Sequence, residues 1–296
     1  PQDERVRAQG IMWLSARWGG AFTPLLVVLV LNHMSWPRAF ELFGALGVVW
    51  AIFFYRWYRD NPRDHKSVNA AELALLRGAE ETASGHGDVP WGRFLRSRTV
   101  WLLWIQYFCL SWGWYFYITW LPTYLREARG LELTKGAVLA GLPLFLGGVG
   151  CLLCGQLLPV LGRRMGDQRR ARRLMACIGF AGASGLLLVS SRMSDPVFAM
   201  VLMGLSSFAN DLVMPPAWGA CMDVGGKYAG TLSGSMNMMG NFAGGLAPIA
   251  VGYILDATNQ NWNITLMVAA VIYFMGTFCW MFLDPVTPLD EASPRP

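Results

Sequence analysis

The chain has 296 residues, 54% of them hydrophobic and only 15% charged, with a net charge of +5. Soluble domains carry about 25% charged residues, so this composition excludes an ordinary soluble protein. Membrane barrels are excluded as well: their strands are about ten residues long and alternate in polarity, whereas this chain holds apolar runs near the roughly 20 residues that cross a bilayer as helix.

The first run, Ile11 to Leu31, contains a single charge, Arg17. The second, Trp36 to Trp57, keeps Arg38, Glu41 and Arg56 near its ends. A polar stretch from Tyr58 to Arg98 follows. In it Asn69 and Glu72 have the spacing of a helix N-cap and its reciprocal partner, which predicts a short surface helix over Ala70 to Glu81. Ser84-Gly85-His86-Gly87-Asp88 reads as a linker. Six more runs come after it: Thr99 to Leu125, Gly136 to Gly162, Leu174 to Ser191, Pro196 to Met222 with Asp211 inside, Tyr228 to Leu255, and Ala257 to Leu283. The pattern predicts an all-α membrane protein with eight transmembrane helices, two plus six.

The chain divides accordingly. Residues 1–58 form the last two helices of one six-helix bundle, and 59–98 the linker with its surface helix. Residues 99–284 form a complete six-helix bundle, and 285–296 the tail. Of the 24 Lys and Arg, 18 fall before Ile11, between Arg56 and Arg98, between Arg163 and Arg173, at Lys227 or in the tail. Basic loops stay on the cytoplasmic side, which predicts that both termini and the 59–98 loop are cytoplasmic. The asymmetry also accounts for the positive net charge without a nucleic acid partner. The opening on Pro1 reads as a fragment whose beginning is missing.

Glycine is dense inside the runs, for example Gly147, Gly148, Gly150 and Gly155, or Gly240, Gly244 and Gly245. Small residues at three- and four-residue spacing let membrane helices approach closely. Pro24, Pro122, Pro143, Pro159, Pro215, Pro216 and Pro248 should bend or interrupt helices, as around the midplane sites of carriers. The six cysteines all lie in or beside apolar runs; Cys151-x-x-Cys154 has neither a histidine nor a second pair nearby, so they read as packing residues. His33, His65 and His86 fall in loops, and no run carries H-E-x-x-H or Gly-x-Ser-x-Gly. No metal, cofactor or catalytic residue is expected, and a multispan enzyme is the weaker alternative. A transporter-like sensor stays open.

Few polar groups lie within the runs. A guanidinium at a bilayer centre costs from about 2.5 to well above 10 kcal/mol, so Arg17 must face a bundle interior, a water-filled cavity or an anion. Its planar fork suits a carboxylate, which makes it the first substrate-binding candidate; the alternative is a structural cation near the cytoplasmic end, snorkelling or paired with a carboxylate of the missing helices. Asp211 is the one carboxylate well inside an uncharged run, and because burial penalises its charged form it is a proton-coupling candidate. Asn237 and Asn241 share a helix face. Tyr107, Trp114 and Tyr117 form an aromatic stripe, of which Tyr107 and Tyr117 are taken as cavity-lining candidates.

Several stretches carry a resemblance. Tyr58-Arg59-Asp60-Asn61-Pro62 leading to Val68-Asn69-Ala70-Ala71-Glu72 resembles the segment after helix six in the anion:cation symporter family of the major facilitator superfamily. Phe116-Tyr117-Ile118-Thr119-Trp120-Leu121-Pro122 is similar to that family's seventh-helix motif, and Gly230-Thr231-Leu232-Ser233-Gly234 through Asn237, Gly240 and Asn241 to its eleventh. Glu4-Arg5-Val6-Arg7-Ala8 resembles the loop after helix four, which would make helices one to four the missing part. The resemblance implies a monomeric carrier in a bacterial inner membrane, moving small organic anions such as sugar acids together with protons by alternating access. It also implies substrate roles for Gln106, Trp218 and Asn237. Arg17 stands where the family carries a substrate-contacting glutamine. One departure is Pro159, which stands at the position of a carboxylate in the pattern that ends in Gly162-Arg163-Arg164 and so removes that carboxylate from any gating ion pair there.

Overall fold

The computed structural model describes residues 2–74, 89–131 and 133–289, and its regular elements are helices throughout. The chain separates into two compact units, one holding Phe22–His86 and the other Gln2–Ala21 with Gly87–Pro296.

The smaller unit contains the end of helix α1 (Gln2–Leu31) and all of α2 (Trp36–Trp57), which opens with Pro37 in its first turn. Proline suits that position because its missing N–H would have no partner there anyway. Apolar side chains such as Leu29, Phe40, Trp50 and Phe53 are more than half exposed. Beyond a 3₁₀ turn at Pro62–Asp64, the reciprocal cap forms as its spacing predicts. The Glu72 N–H donates to Asn69 Oδ1 at 2.9 Å, and the Asn69 N–H to Glu72 Oε2 at 3.0 Å. Residues 70–74 are helical; the remainder of the expected helix, and the linker at 84–88, lie outside the described residues.

The larger unit holds the first part of α1 and then α3 (Trp91–Arg96), α4 (Arg98–Thr119), α5 (Leu121–Glu127), α6 (Leu133–Met165), α7 (Gln168–Ser191), α8 (Pro196–Asp211), α9 (Met214–Gly225), α10 (Ala229–Ala257) and α11 (Trp262–Phe282). Helix starts use side-chain caps: Asp195 Oδ1 accepts from the Phe198 N–H at 2.6 Å and Asp167 Oδ1 from the Arg170 N–H at 3.1 Å. Gly166 turns the chain between α6 and α7 at φ +63°, a left-handed conformation that glycine adopts without strain. Helix α6 packs on α8, α7 on α8 and α11, and α4 on α10 and α11.

Close approach depends on residues without side chains. A Cβ added to Gly10 of α1 would stand 2.9 Å from the Gly155 Cα of α6, and one added to Gly155 would stand 3.1 Å from the Gly10 Cα, so these two helices meet backbone to backbone. Gly113 leaves the space that the Tyr273 ring and hydroxyl fill.

The prolines act unequally. Pro122 follows a break between α4 and α5, and Pro215–Pro216 open α9 after the chain breaks at Leu212–Val213. Pro24, Pro143, Pro159 and Pro248 instead sit inside continuous helices. Neighbouring groups can satisfy the backbone that such a proline frees in a membrane protein, so the helix survives.

Six stretches of the described residues are long and apolar enough to cross a membrane, and the 62-residue one, Pro196–Ala257, contains α8, α9 and α10. This is an integral membrane protein with several spans. Helix α4, though 22 residues long, is not among the six; its tryptophans, tyrosines and Gln106 lower its hydropathy below that of an aliphatic helix.

Candidate functional site

Two buried charges dominate the interior of the larger unit. Arg17 of α1 and Asp211 at the end of α8 have side chains only 4% and 1% exposed. Arg17 Nη2 donates to Asp211 Oδ1 at 2.7 Å. A second approach, Nε to Oδ2, is also 2.7 Å, as an ion-pair contact without hydrogen-bond geometry. The guanidinium carbon sits 3.8 Å from the centre of the Trp114 ring, close enough for a desolvated cation–π contact. Asn210 Nδ2 reaches Asp211 Oδ1 at 3.5 Å and the Leu110 carbonyl at 3.4 Å. Gly147 of α6 leaves room for the carboxylate: a methyl there would collide with Asp211 Oδ2 and Ser207 Oγ.

Arg17 lines a cavity of about 140 Å³. Its other walls include Trp13 from α1, Tyr107, Ser111, Trp114 and Tyr115 from α4, Met214 at the start of α9, and Asn237, Gly240 and Asn241 from α10. Gly240 keeps the wall open, since a methyl would stand 2.7 Å from Ser111 Oγ. The Tyr115 hydroxyl donates to Asn241 Oδ1 at 2.7 Å, while Asn241 Nδ2 donates to the Asn237 carbonyl at 2.9 Å. Trp13 Nε1–H is buried without an acceptor among the described residues. The wall thus offers one cation, several hydroxyl and amide groups, and indole faces.

The remaining sequence candidates distribute around this cavity. Arg17, Tyr107 and Asn237 line it; Trp218 stands one contact back, its Nε1 donating to the Tyr107 hydroxyl at 3.3 Å and its ring 5.6 Å from that of Trp13. Gln106 is fully buried and lies outside the lining. Its Nε2 donates to the Leu103 carbonyl at 3.0 Å, and its Oε1 accepts from Trp280 Nε1 at 3.1 Å. Tyr117 also lies outside it, with its hydroxyl 3.4 Å from the Met203 carbonyl. Ser111, Tyr115 and Trp13 carried no sequence signal beyond their polarity, because only the helix packing brings them to one wall. All six cysteines are free, and Cys151 and Cys154 are both fully buried.

A second charged cluster was not foreseen. Asp223 near the end of α9 accepts from Arg172 Nη2 at 2.6 Å and from Arg5 Nη1 at 2.9 Å. Arg172, 3% exposed, also donates to the Pro285 carbonyl at 2.7 Å, and Arg173 Nε to the Leu283 carbonyl at 2.6 Å. The chain after α11 is therefore tied to α7. Burial alone would push the Asp284 carboxyl up. The Thr287 hydroxyl, the Val286 and Thr287 N–H groups and the Arg169 guanidinium outweigh it and hold the group below its usual range. A depressed carboxylate adds stability that is present above its ordinary pKa and is lost as pH falls through the lowered one. Acidification below about pH 4 should thus loosen residues 284–289. Amide exchange of Val286 and Thr287, followed against pH, should accelerate there before that of α7.

The Major Facilitator Superfamily model matches residues 1–248. The chain belongs to the major facilitator superfamily. Superfamily members are transporters, so the enzyme alternative falls away. This facilitator is 34% identical over its whole length to a probable sulfoacetate transporter of Cupriavidus necator, of which it covers 68%. It is 29% identical to a chloroplastic ascorbate transporter of Arabidopsis thaliana over 95% of the chain and 51% of that protein. A probable chloroplastic anion transporter of Oryza sativa is 30% identical over 95% of the chain and 47% of its own length. Apart from the first, the facilitator spans about half the length of these relatives.

Proposed function

We propose that this facilitator carries small organic anions, sugar acids or related carboxylates, across a bacterial inner membrane by proton-coupled symport with alternating access. It would act as a monomer of the anion:cation symporter family. Eight of its helical segments would cross the bilayer, with both ends and the 59–98 loop on the cytoplasmic side, as the Lys and Arg distribution favours. The observation that carries the reading is Arg17, a buried guanidinium that lines a cavity otherwise walled by amides, hydroxyls and indoles. The Cupriavidus necator relative is named for sulfoacetate, a two-carbon carboxylate bearing a sulfonate.

In this reading Arg17 anchors the acid group, Tyr107 and Asn237 meet its hydroxyls, and Trp218 braces Tyr107 from behind. Gln106 and Tyr117 fix α4 against its neighbours in the conformation described and reach the substrate only if the helices reorganise. The test is uptake by the full-length protein in proteoliposomes, using labelled sulfoacetate and glucuronate with an imposed pH gradient. Gradient-driven accumulation that a protonophore abolishes is the expected result. Accumulation of neutral sugars in preference to both anions would overturn it, and saturable binding without any uptake would identify a sensor.

A further inference from the structure

Asp211 stands to Arg17 as a carried carboxylate would. It meets the guanidinium through both of its oxygens, each 2.7 Å from a nitrogen of the fork. It has little else to hold it. Its remaining side-chain partner is Asn210 at 3.5 Å, and Oδ2 has no hydrogen bond among the described residues. Arg17 lines the cavity, whereas Asp211 does not. The carboxylate also ends α8 immediately before the Leu212–Val213 break, where the backbone leaves the helical ladder and a side chain can be re-aimed. A buried ion pair is a poor stabilising device, since well-packed apolar residues usually serve as well or better. Exchange of partners is the chemistry that such a pair permits and an apolar one does not.

We propose that Asp211 is the resident anion of the Arg17 site, displaced by the carried anion and protonated as it leaves. The proposal rests on the carrier reading above. Before exchange the guanidinium and the Asp211 carboxylate cancel. After it the guanidinium and the substrate's acid group cancel, and Asp211, stripped of its cation in a buried slot, takes a proton from cavity water. For a monoanion no net charge is left buried at either stage, so each one bound brings one proton with it; a dianion such as sulfoacetate leaves its second charge to be met by the hydroxyl and amide groups of the cavity. The titratable and charged groups facing Asp211 are Arg17 from α1, Tyr107 and Tyr117 from α4, Cys151 from α6 and Tyr273 from α11. Of these only Arg17 carries a charge that must be balanced.

The experiment is calorimetric titration of the purified full-length protein with sulfoacetate, and then glucuronate, in two buffers of different ionisation enthalpy. Wild type should take up about one proton per glucuronate bound, and its affinity should tighten as pH falls. Asp211→Asn frees Arg17, so it should bind about tenfold tighter or more at the higher pH, without proton uptake and without pH dependence. Wild-type affinity with proton uptake intact in Asp211→Asn would overturn the proposal while leaving the carrier reading in place. A wild-type protein that binds no organic anion would remove both. Should Asp211→Asn fail to fold, Arg17→Gln/Asp211→Asn keeps a neutral hydrogen-bonding pair. That variant should bind anions without proton uptake and without pH dependence, and binding with wild-type proton uptake in it would overturn the proposal equally.

Discussion

Arg17→Lys should weaken binding of the carried anion roughly ten- to a hundredfold while the charge is kept. An ammonium is a point donor and cannot reproduce the planar fork, nor the stacking that sets the Arg17 guanidinium 3.8 Å from the centre of the Trp114 ring. Losing one charge-assisted hydrogen bond costs about 1.5–3 kcal/mol, and 1.4 kcal/mol is a decade in affinity. Arg17→Gln introduces the residue that the family resemblance places there, so it should shift preference among anions and not abolish uptake. Affinity and melting temperature measured on the same purified variants separate substrate contact from helix pairing. Unchanged affinity with a lowered melting temperature would leave Arg17 only the pairing role.

Asp223→Asn should lower stability by about 3–5 kcal/mol, the cost of breaking a buried ion pair from one side. The reason is Arg172: at 3% exposure it would retain the Pro285 carbonyl but lose the carboxylate 2.6 Å away. Arg126→Ala is the control. Its pair with Glu127 has side chains 71% and 46% exposed, so water already screens it and its loss should cost less than about 1 kcal/mol. Thermal unfolding in detergent compares the two directly. Equal melting temperatures would show that Arg172 finds another partner, or water, once Asp223 is neutral.

Local features are legible in the chain because their physics is local. Asn69 and Glu72 cap a helix start three residues apart, and the bonds they form are those their spacing requires. Arg17 is legible only halfway. Its isolation in an apolar run demands a counter-charge, but nothing in the run names Asp211, 194 positions away. Arg172 counts in the sequence merely as one more basic residue on a basic loop; its burial comes from the chain after α11 folding back on α7, which no periodicity records. Gln106 shows the opposite case. Resemblance assigns it to substrate, yet Trp280 from the far end of the chain supplies an indole N–H that takes its carbonyl in the conformation described. Proline alone does not decide where a helix ends either: Pro215–Pro216 coincide with a break, whereas Pro143 and Pro159 are carried within one 33-residue helix.

The bare contact between Gly10 and Gly155 has a mechanical consequence. Helices that interlock through side chains must unseat ridges from grooves before they can shift. Where two backbones touch with nothing between them, that point offers no ridge to unseat, and whatever resists a shift must lie elsewhere along the pair. Away from that contact α1 is held by Trp18, whose indole stacks on Phe145 of α6 and donates to its carbonyl at 3.3 Å, and by two ion pairs, Arg5–Asp223 and Arg17–Asp211, about 18 Å apart along the helix. A rotation of this part of α1 about Gly10 therefore has to break the Trp18–Phe145 contact and both ion pairs.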